Sequence, residues 1–341
     1  MTAARTIAVV GAGGWGTAIA RLLSNGGHRV ILWVREPEVA DEIERKRLNS
    51  TFLPGVPIPA SIEVARDLAA VTNGPRDIIV LAVPSHALGA VARKLGGWKS
   101  TGATMVSVAK GLDHDTGRRP TQILADEMGV PAARLCALSG PSHAEEVGRD
   151  LPTAVVAASE SESTATLVQG VFFAPRFRVY TQTDVAGVEL GGALKNIIAI
   201  ACGIADGLGL GDNSQAALVT RGLAEITRLG VALGARRETF MGLAGLGDLV
   251  VTCASDHSRN RRLGRRLGSG ERLKDVLAGM QQVAEGVQAC RSALKLAVEK
   301  GIPVPITEQT HRVLFDDVPA GRALEQLLDR DARSEEESRP G

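Results

Sequence analysis

One lysine stands at the mouth of an apolar run. Gly191–Asp206 reads GGALKNIIAIACGIAD, and Ile197–Ala205 carries neither a charge nor a strongly polar group. Lys195 comes just before that run. A lysine in this position has two fates. Its stem can pack while the ammonium snorkels to water. Alternatively it is buried and held for chemistry. Burial disfavours the charged form and lowers the pKa, which brings the amine into the range of acid–base catalysis near neutral pH. On this stretch alone snorkelling is the commoner outcome, so the choice turns on what the rest of the chain can bring beside the amine.

Several other groups carry chemistry. Gly11-Ala12-Gly13-Gly14-Trp15-Gly16 follows the β-rich run Thr6–Val10 and opens a stretch of helical spacing, Thr17–Leu23. Arg29–Val34 is the next apolar strand. Strand, glycine turn, helix and strand within about 30 residues give G-x-G-x-x-G its meaning as a dinucleotide-binding turn. Gly11 makes the turn, Gly13 lets a pyrophosphate approach the backbone, and Gly16 lets helix and strand pack closely. The pyrophosphate then lies on a helix N-terminus. At the end of the second strand, where a carboxylate would hold the ribose hydroxyl of NAD, stands Arg35, with Glu36 next. An arginine suits a 2′-phosphate, so NADP is the first choice and Glu36 keeps NAD open.

Further along, Asp77–Val83 reads as a doubly buried strand ending in Pro84-Ser85-His86; His86 there more often starts a helix than works in catalysis. Thr104–Val108 ends in Ala109-Lys110-Gly111-Leu112, and Leu135–Leu138 ends in Ser139-Gly140-Pro141-Ser142-His143-Ala144-Glu145-Glu146. Two strands thus deliver polar, glycine-bearing loops to one sheet edge. Ser142 can cap the helix that Glu145 and Glu146 begin. Leu243–Leu249 (LAGLGDL) sets Asp248 in a glycine turn, and Ser258-Arg259-Asn260-Arg261-Arg262 opens a helix. Cations in a first helical turn oppose the dipole unless an anion binds there; phosphate is the obvious anion for arginine.

The elements that must position these groups fall into two sets. Strands and helices alternate as far as Thr153–Ala158, Thr164–Phe172 and Phe177–Tyr180. From Asp184 onward the spacing is helical: Val185–Cys202, Gln215–Leu233, Arg272–Leu277 and Val287–Lys300. The reading is α/β, a Rossmann-type mostly parallel sheet domain over residues 1–182. An all-α domain over 183–330 follows, with a charged tail at 331–341 expected to be disordered.

Composition excludes other classes. There are 39 Lys+Arg against 38 Asp+Glu, a net charge of +1, and 3% aromatic residues; this argues against a nucleic-acid surface. Cys136, Cys202, Cys253 and Cys290 make no C-x-x-C pair, and the six histidines lack ligand spacing, so neither a disulfide framework nor a metal site is expected. The first strand starts too early for a signal peptide. No apolar run approaches the length that crosses a bilayer. A cytoplasmic protein is the expectation.

Together GAGGWGTA at Gly11–Ala18, AKGL at Ala109–Leu112, SGPSHAEEV at Ser139–Val147, GALKN at Gly192–Asn196, GLGDL at Gly245–Leu249 and SRNRRLG at Ser258–Gly264 resemble the bacterial NAD(P)-dependent glycerol-3-phosphate dehydrogenases. The matching pieces run in order along most of the chain, and the later ones are far more specific than the glycine turn. The resemblance implies Lys195 as general acid/base, with Lys110 and Asp248 beside it; which of the two pairs directly with Lys195 stays open. It implies a substrate site of Lys110, Gly140, Ser142, Lys195, Asp248, Ser258, Arg259 and Asn260. It implies cofactor contacts at Gly14, Trp15, Arg35, Lys110, Ala144, Arg259, Val283 and Glu285. It also implies a homodimer acting on a small phosphorylated triose in phospholipid-precursor synthesis. Two other readings stand beside it. One is a two-domain β-hydroxyacid dehydrogenase, which carries an asparagine three residues after its lysine; here that place is Ile198, and Asn196 is adjacent. The other is a non-catalytic NADP(H) sensor.

Overall fold

The computed structural model describes residues 3–96, 98–280 and 283–329; the charged tail at 331–341 lies outside them. Eight strands among these residues form one sheet in the order β3-β2-β1-β4-β5-β6-β7-β8. They are β1 (Thr6–Val10), β2 (Arg29–Trp33), β3 (Glu63–Ala65), β4 (Ile78–Leu81), β5 (Thr104–Ser107), β6 (Leu135–Ser139), β7 (Thr153–Ala158) and β8 (Phe177–Gln182). All pairs are parallel except β6 with β7. This is the mostly parallel sheet that the apolar runs predict. Successive β1 side chains enter opposite cores: Ile7 and Val9 join one, Ala8 and Val10 the other. Burial on both faces is why these strands read as unbroken apolar runs.

Helices α1 (Gly14–Asn25), α2 (Pro37–Lys46), α3 (Ser85–Leu95), α4 (Trp98–Thr101), α5 (Pro120–Met128), α6 (Ala144–Gly148) and α7 (Glu162–Phe172) flank the sheet. After β8 come α8 (Val185–Gly207), α9 (Asp212–Ala232), α10 (Arg237–Phe240), α11 (Asp248–Ala254) and α12 (Arg259–Gly268). The chain continues through α13 (Leu273–Ala278), α14 (Glu285–Lys300), α15 (Pro305–Phe315) and α16 (Ala320–Leu328).

Helix α8 is the axis of this second half. It is long and apolar enough to cross a membrane by length and composition, yet 94% of its most apolar window is buried inside the protein. Glu189 and Lys195 interrupt its apolar run, and within the fold the helix is a core element. Asp184 caps it, accepting from the Gly187 N–H at 2.9 Å. Two charged side chains, Glu189 and Lys195, are carried into the buried part. Glu189 accepts from the Thr121 N–H and hydroxyl, both at 2.7 Å, and from the Arg119 guanidinium. It thereby fixes the start of α5, and the loop that follows β5, against α8.

Helices α8 and α12 meet almost backbone to backbone. A Cβ on Gly203 would lie 2.1 Å from the Arg261 carbonyl oxygen, and one on Gly207 2.2 Å from that of Arg265. From the other side, a Cβ on Gly264 would lie 2.1 Å from the Ile200 oxygen, and one on Gly268 2.3 Å from that of Ile204. Only glycine allows this spacing. Gly203→Ala should therefore reduce the unfolding free energy by about 1–3 kcal/mol, as for an overpacked contact, and lower the denaturation midpoint accordingly. Gly321→Ala, on α16 with no atom near its added methyl, should be neutral or stabilising. Equal midpoints for the two variants in urea titrations would count against the close contact.

Candidate active site

The glycine turn leaves β1 with Gly11 at φ +110°, where a Cβ would press to 2.7 Å of the Ala82 oxygen. Gly16 sits on that turn; a Cβ there would come within 2.0 Å of the Gly11 oxygen. Gly13, by contrast, faces open space and caps α1 with no side-chain hydrogen bond to its first N–H groups. The bare N-terminus and the open approach over Gly13 fit a pyrophosphate. Asn49 donates to the Ala12 carbonyl at 2.8 Å and to the Thr17 hydroxyl at 2.9 Å, holding the turn in shape. Trp15 lies beside it, its indole Nε1 buried without a hydrogen-bond partner among the described residues. Arg35, after β2, is largely exposed and donates Nε to Glu36 at 2.9 Å; it stands apart from the lysine cluster.

Lys195 does not snorkel. It is 4% exposed, and its Nζ donates to Asp248 Oδ1 at 2.5 Å and to the Thr252 hydroxyl at 2.6 Å. Thr252 can accept because its own proton goes to the Asp248 carbonyl oxygen at 2.5 Å. Lys110 comes off β5 onto the same carboxylate from the other side, Nζ to Asp248 Oδ2 at 2.9 Å. It also donates to the Gly140 carbonyl at 2.8 Å and the Ser142 hydroxyl at 3.2 Å. Asp248 thus bridges both lysines, and neither pairing excludes the other. It sits at the first residue of α11, after a π-helical turn over Leu243–Gly247, rather than in an open glycine loop.

An ammonium has three donors. Lys110 spends all three on internal acceptors and is held in place. Lys195 spends two among the described residues, leaving one. Burial lowers the Lys195 pKa most; the Asp248 charge opposes this, Lys110 adds to it, and the result is about 8. Burial pushes the Asp248 carboxyl up, but the two ammonium groups outweigh it and hold the group below its ordinary value.

The expected substrate loop is present with altered duties. Ser142 does not cap α6; that position is His143, without a side-chain bond. The Ser142 hydroxyl instead donates to the Gly140 carbonyl at 2.8 Å, which turns its lone pairs toward Lys110. Ser258 does cap α12, accepting from the Arg261 N–H at 3.2 Å. Asn260 turns inward: it donates to Asn196 Oδ1 and accepts from the Gly286 N–H, both at 3.0 Å. Asn196 in turn donates to the Lys110 carbonyl at 2.9 Å. Arg259 is exposed and donates to the Val283 carbonyl at 3.1 Å. Glu285 accepts from the Ser85 N–H at 2.9 Å and lies beside Gly111. Ala144 packs against the glycine turn, 3.5 Å from where a Gly14 Cβ would stand. His86 is exposed at the start of α3.

Three functional-looking residues escape the sequence reading as site members. Thr252 is one helical turn after Asp248, a spacing that points to a shared face. Asn196 adjoins the lysine. Asn49 has no local signal for this role, because the turn atoms it donates to lie 37 and 32 residues away; its Oδ1 accepts from the nearby Phe52 N–H at 3.1 Å.

A glycine-turn sheet domain, a helical partner and a buried amine with a tuned proton define a nicotinamide-dependent dehydrogenase. Two family profiles match the chain: NAD-dependent glycerol-3-phosphate dehydrogenase N-terminus over residues 6–165 and its C-terminus over 184–325. Glycerol-3-phosphate dehydrogenase [NAD(P)+] of Moorella thermoacetica is 52% identical over 98% of both chains. That of Pelotomaculum thermopropionicum is 51% identical over 95% of this chain and 93% of its own. The solved glycerol-3-phosphate dehydrogenase of Coxiella burnetii superposes with a TM-score of 0.91 at 39% identity, covering 96% of this chain and 99% of its own. The chain belongs to the NAD-dependent glycerol-3-phosphate dehydrogenase family.

NMR titration of isotope-labelled lysine should place Lys195 near 8 rather than the ordinary 10.5. Asp248→Asn removes the main influence raising it and leaves burial and Lys110, so the midpoint should fall further. A midpoint that stays put or rises would mean Asp248 does not stabilise the ammonium.

Proposed function

We propose that the protein interconverts dihydroxyacetone phosphate and sn-glycerol 3-phosphate with NADP(H) or NAD(H), in phospholipid-precursor synthesis. The observation that carries this is the single donor left on Lys195. Reduction of a ketone needs a hydride on carbon and a proton on oxygen. The nicotinamide, when bound, supplies the hydride. Lys195 directs its remaining N–H to the carbonyl oxygen, polarises it and gives up the proton. Below a pKa of about 8 the charged form suits reduction; above it, the neutral form suits alcohol oxidation. Lys110, with no donor to spare, fixes Asp248 and adds positive potential. The first turn of α12, with Ser258, Arg259 and Asn260, is read as the phosphate site, aligning the carbonyl with the ring.

Residues 1–182 are read as the cofactor domain, with Gly11, Gly13, Gly14, Trp15, Gly16, Arg35 and Ala144 as contacts. Residues 183–330 are read as the substrate and catalytic domain, supplying Lys195, Asp248, Arg259, Val283 and Glu285. A cytoplasmic homodimer is the working assembly in this reading. The β-hydroxyacid alternative needs an asparagine where Ile198 stands, and Ile198 is fully buried, filling the space beside Gly222.

Lys195→Ala should cut turnover of dihydroxyacetone phosphate at least about a hundredfold, while NADPH still binds in fluorescence titration. Near-normal turnover in the folded variant would remove Lys195 from the mechanism. Arg35→Ala should raise KM for NADPH and leave that for NADH nearly unchanged, because only the former carries the 2′-phosphate. Equal effects on both would show that Arg35 does not read it.

A further inference from the structure

His143 has no part in the reaction as described, yet it sits among the groups that perform it. It follows Ser142, which holds Lys110, and precedes Ala144, which packs on the glycine turn. It is therefore placed between the acid–base cluster and the cofactor turn. Its ring also faces the helical half of the chain: the His257 ring lies 5.7 Å away centre to centre, tilted by 53°. His257 is the residue before Ser258, the cap of α12. The two histidines, one from each half, thus meet on the side of the lysine pair where the α12 turn begins.

The His143 Nε2 atom is buried and has no hydrogen-bond partner among the described residues. A buried polar atom left unpaired is costly, and each one in a native site calls for an explanation. Its charged neighbours are Lys195 on α8, Lys110 after β5, Glu145 on α6 and Asp248 on α11. Burial first, then the two lysines, lower its pKa below the ordinary 6.5; Glu145 and Asp248 oppose them. The ring is neutral at pH 7, and a neutral imidazole still offers one N–H donor. Aimed at an anion, such a donor makes a charge-assisted bond roughly twice as strong as a neutral one.

We infer that His143 is a substrate-positioning residue whose Nε2–H binds the phosphate end of the triose, with the His257 ring setting its orientation. The inference rests on the reading of the α12 turn as the phosphate site. It adds a contact from the sheet domain, so that the phosphate is held from both halves of the molecule.

The test uses the full-length enzyme and three variants: His143→Phe, His143→Asn and His143→Gln. Wild-type turnover of dihydroxyacetone phosphate checks the proposed reaction by itself, and an Arg259→Ala control, which should raise KM and the phosphate inhibition constant, checks the α12 turn as the phosphate site. KM, kcat and the inhibition constant of inorganic phosphate against the triose are then measured for each variant. His143→Phe keeps a ring and loses the donor. It should raise KM and the phosphate inhibition constant together, each about tenfold, the scale of one hydrogen bond to a charged group, with kcat within about twofold. Gln reaches the Nε2 position with an amide N–H and should recover most of the loss; Asn is one atom short and should behave like Phe. The Asn and Gln pair carries the same comparison if the Phe variant does not fold. Three results overturn the inference: an unchanged KM in the variants lacking the donor, a raised KM with an unchanged phosphate inhibition constant, or no difference between Gln and Asn.

Discussion

Everything at the centre of this molecule depends on one carboxylate shared by two ammonium groups out of water. Asp248 is 1% exposed and Lys195 4%, and neither of these two would hold its charge alone at that depth. Removing either partner leaves an uncompensated buried charge, worth about 3–5 kcal/mol. The triad also has a sign. Two cations and one anion leave a positive surplus, and that surplus with burial keeps the Lys195 proton loosely held. The same surplus favours an anionic ligand. An isolated Lys–Asp pair would be tighter, more neutral and worse at both tasks. The asymmetry between the lysines follows from their hydrogen bonds: Lys110 is closed on three internal acceptors, while Lys195 keeps one donor open.

The triad is assembled from chain segments far apart in sequence. Lys110 arrives at the end of β5, where parallel strands deliver their loops to one edge. Lys195 is presented by α8 and Asp248 by α11. What holds the sheet edge to α8 is a second set of buried polar bonds. Glu189 ties the start of α5 to α8, and Asn196 takes the Lys110 carbonyl. Burial pushes the Glu189 carboxyl up, while the Arg119 charge and the Thr121 donors pull against it; it accepts from all of these groups. The α8 helix accordingly carries the reacting amine, the brace on the opposite loop and the amide that steadies Lys110.

Much of this was legible in the sequence, for particular reasons. Unbroken apolar runs such as Ile78–Leu81 announce a parallel sheet because both faces are buried. The glycine turn is readable because each glycine answers a different steric demand within a short span. The fate of Lys195 was not readable from its own helix, since snorkelling and burial share one local pattern; only the arrival of Asp248 and Thr252 decides it. The hydrogen-bond duty of Ser142 is not legible locally, for a related reason. A serine before two glutamates looks like a cap, and the competing acceptor duty toward Lys110 comes from a strand more than 30 residues earlier. Amides such as Asn49 and Asn196 are silent in sequence because the partners that matter to the site, the Ala12 and Lys110 carbonyls, are distant.

The glycines of α8 and α12 explain why the site has the dimensions it has. Asn196, Gly203 and Gly207 recur on one face of α8, and Asn260, Gly264 and Gly268 recur every fourth residue on α12. The two rows face each other: glycine meets backbone at the far end, and the Asn196–Asn260 hydrogen bond closes the near end. With side chains in place of the glycines, the helices would stand apart by the thickness of a methyl layer or more. Asn260 would then fall short of Asn196, and Asn196 would lose the partner that orients its donor toward the Lys110 carbonyl. The first turn of α12 would also retreat from Lys195. Close packing well away from the chemistry thus sets the distance between the proton donor and the residues read as the phosphate site. That distance must match a three-carbon substrate.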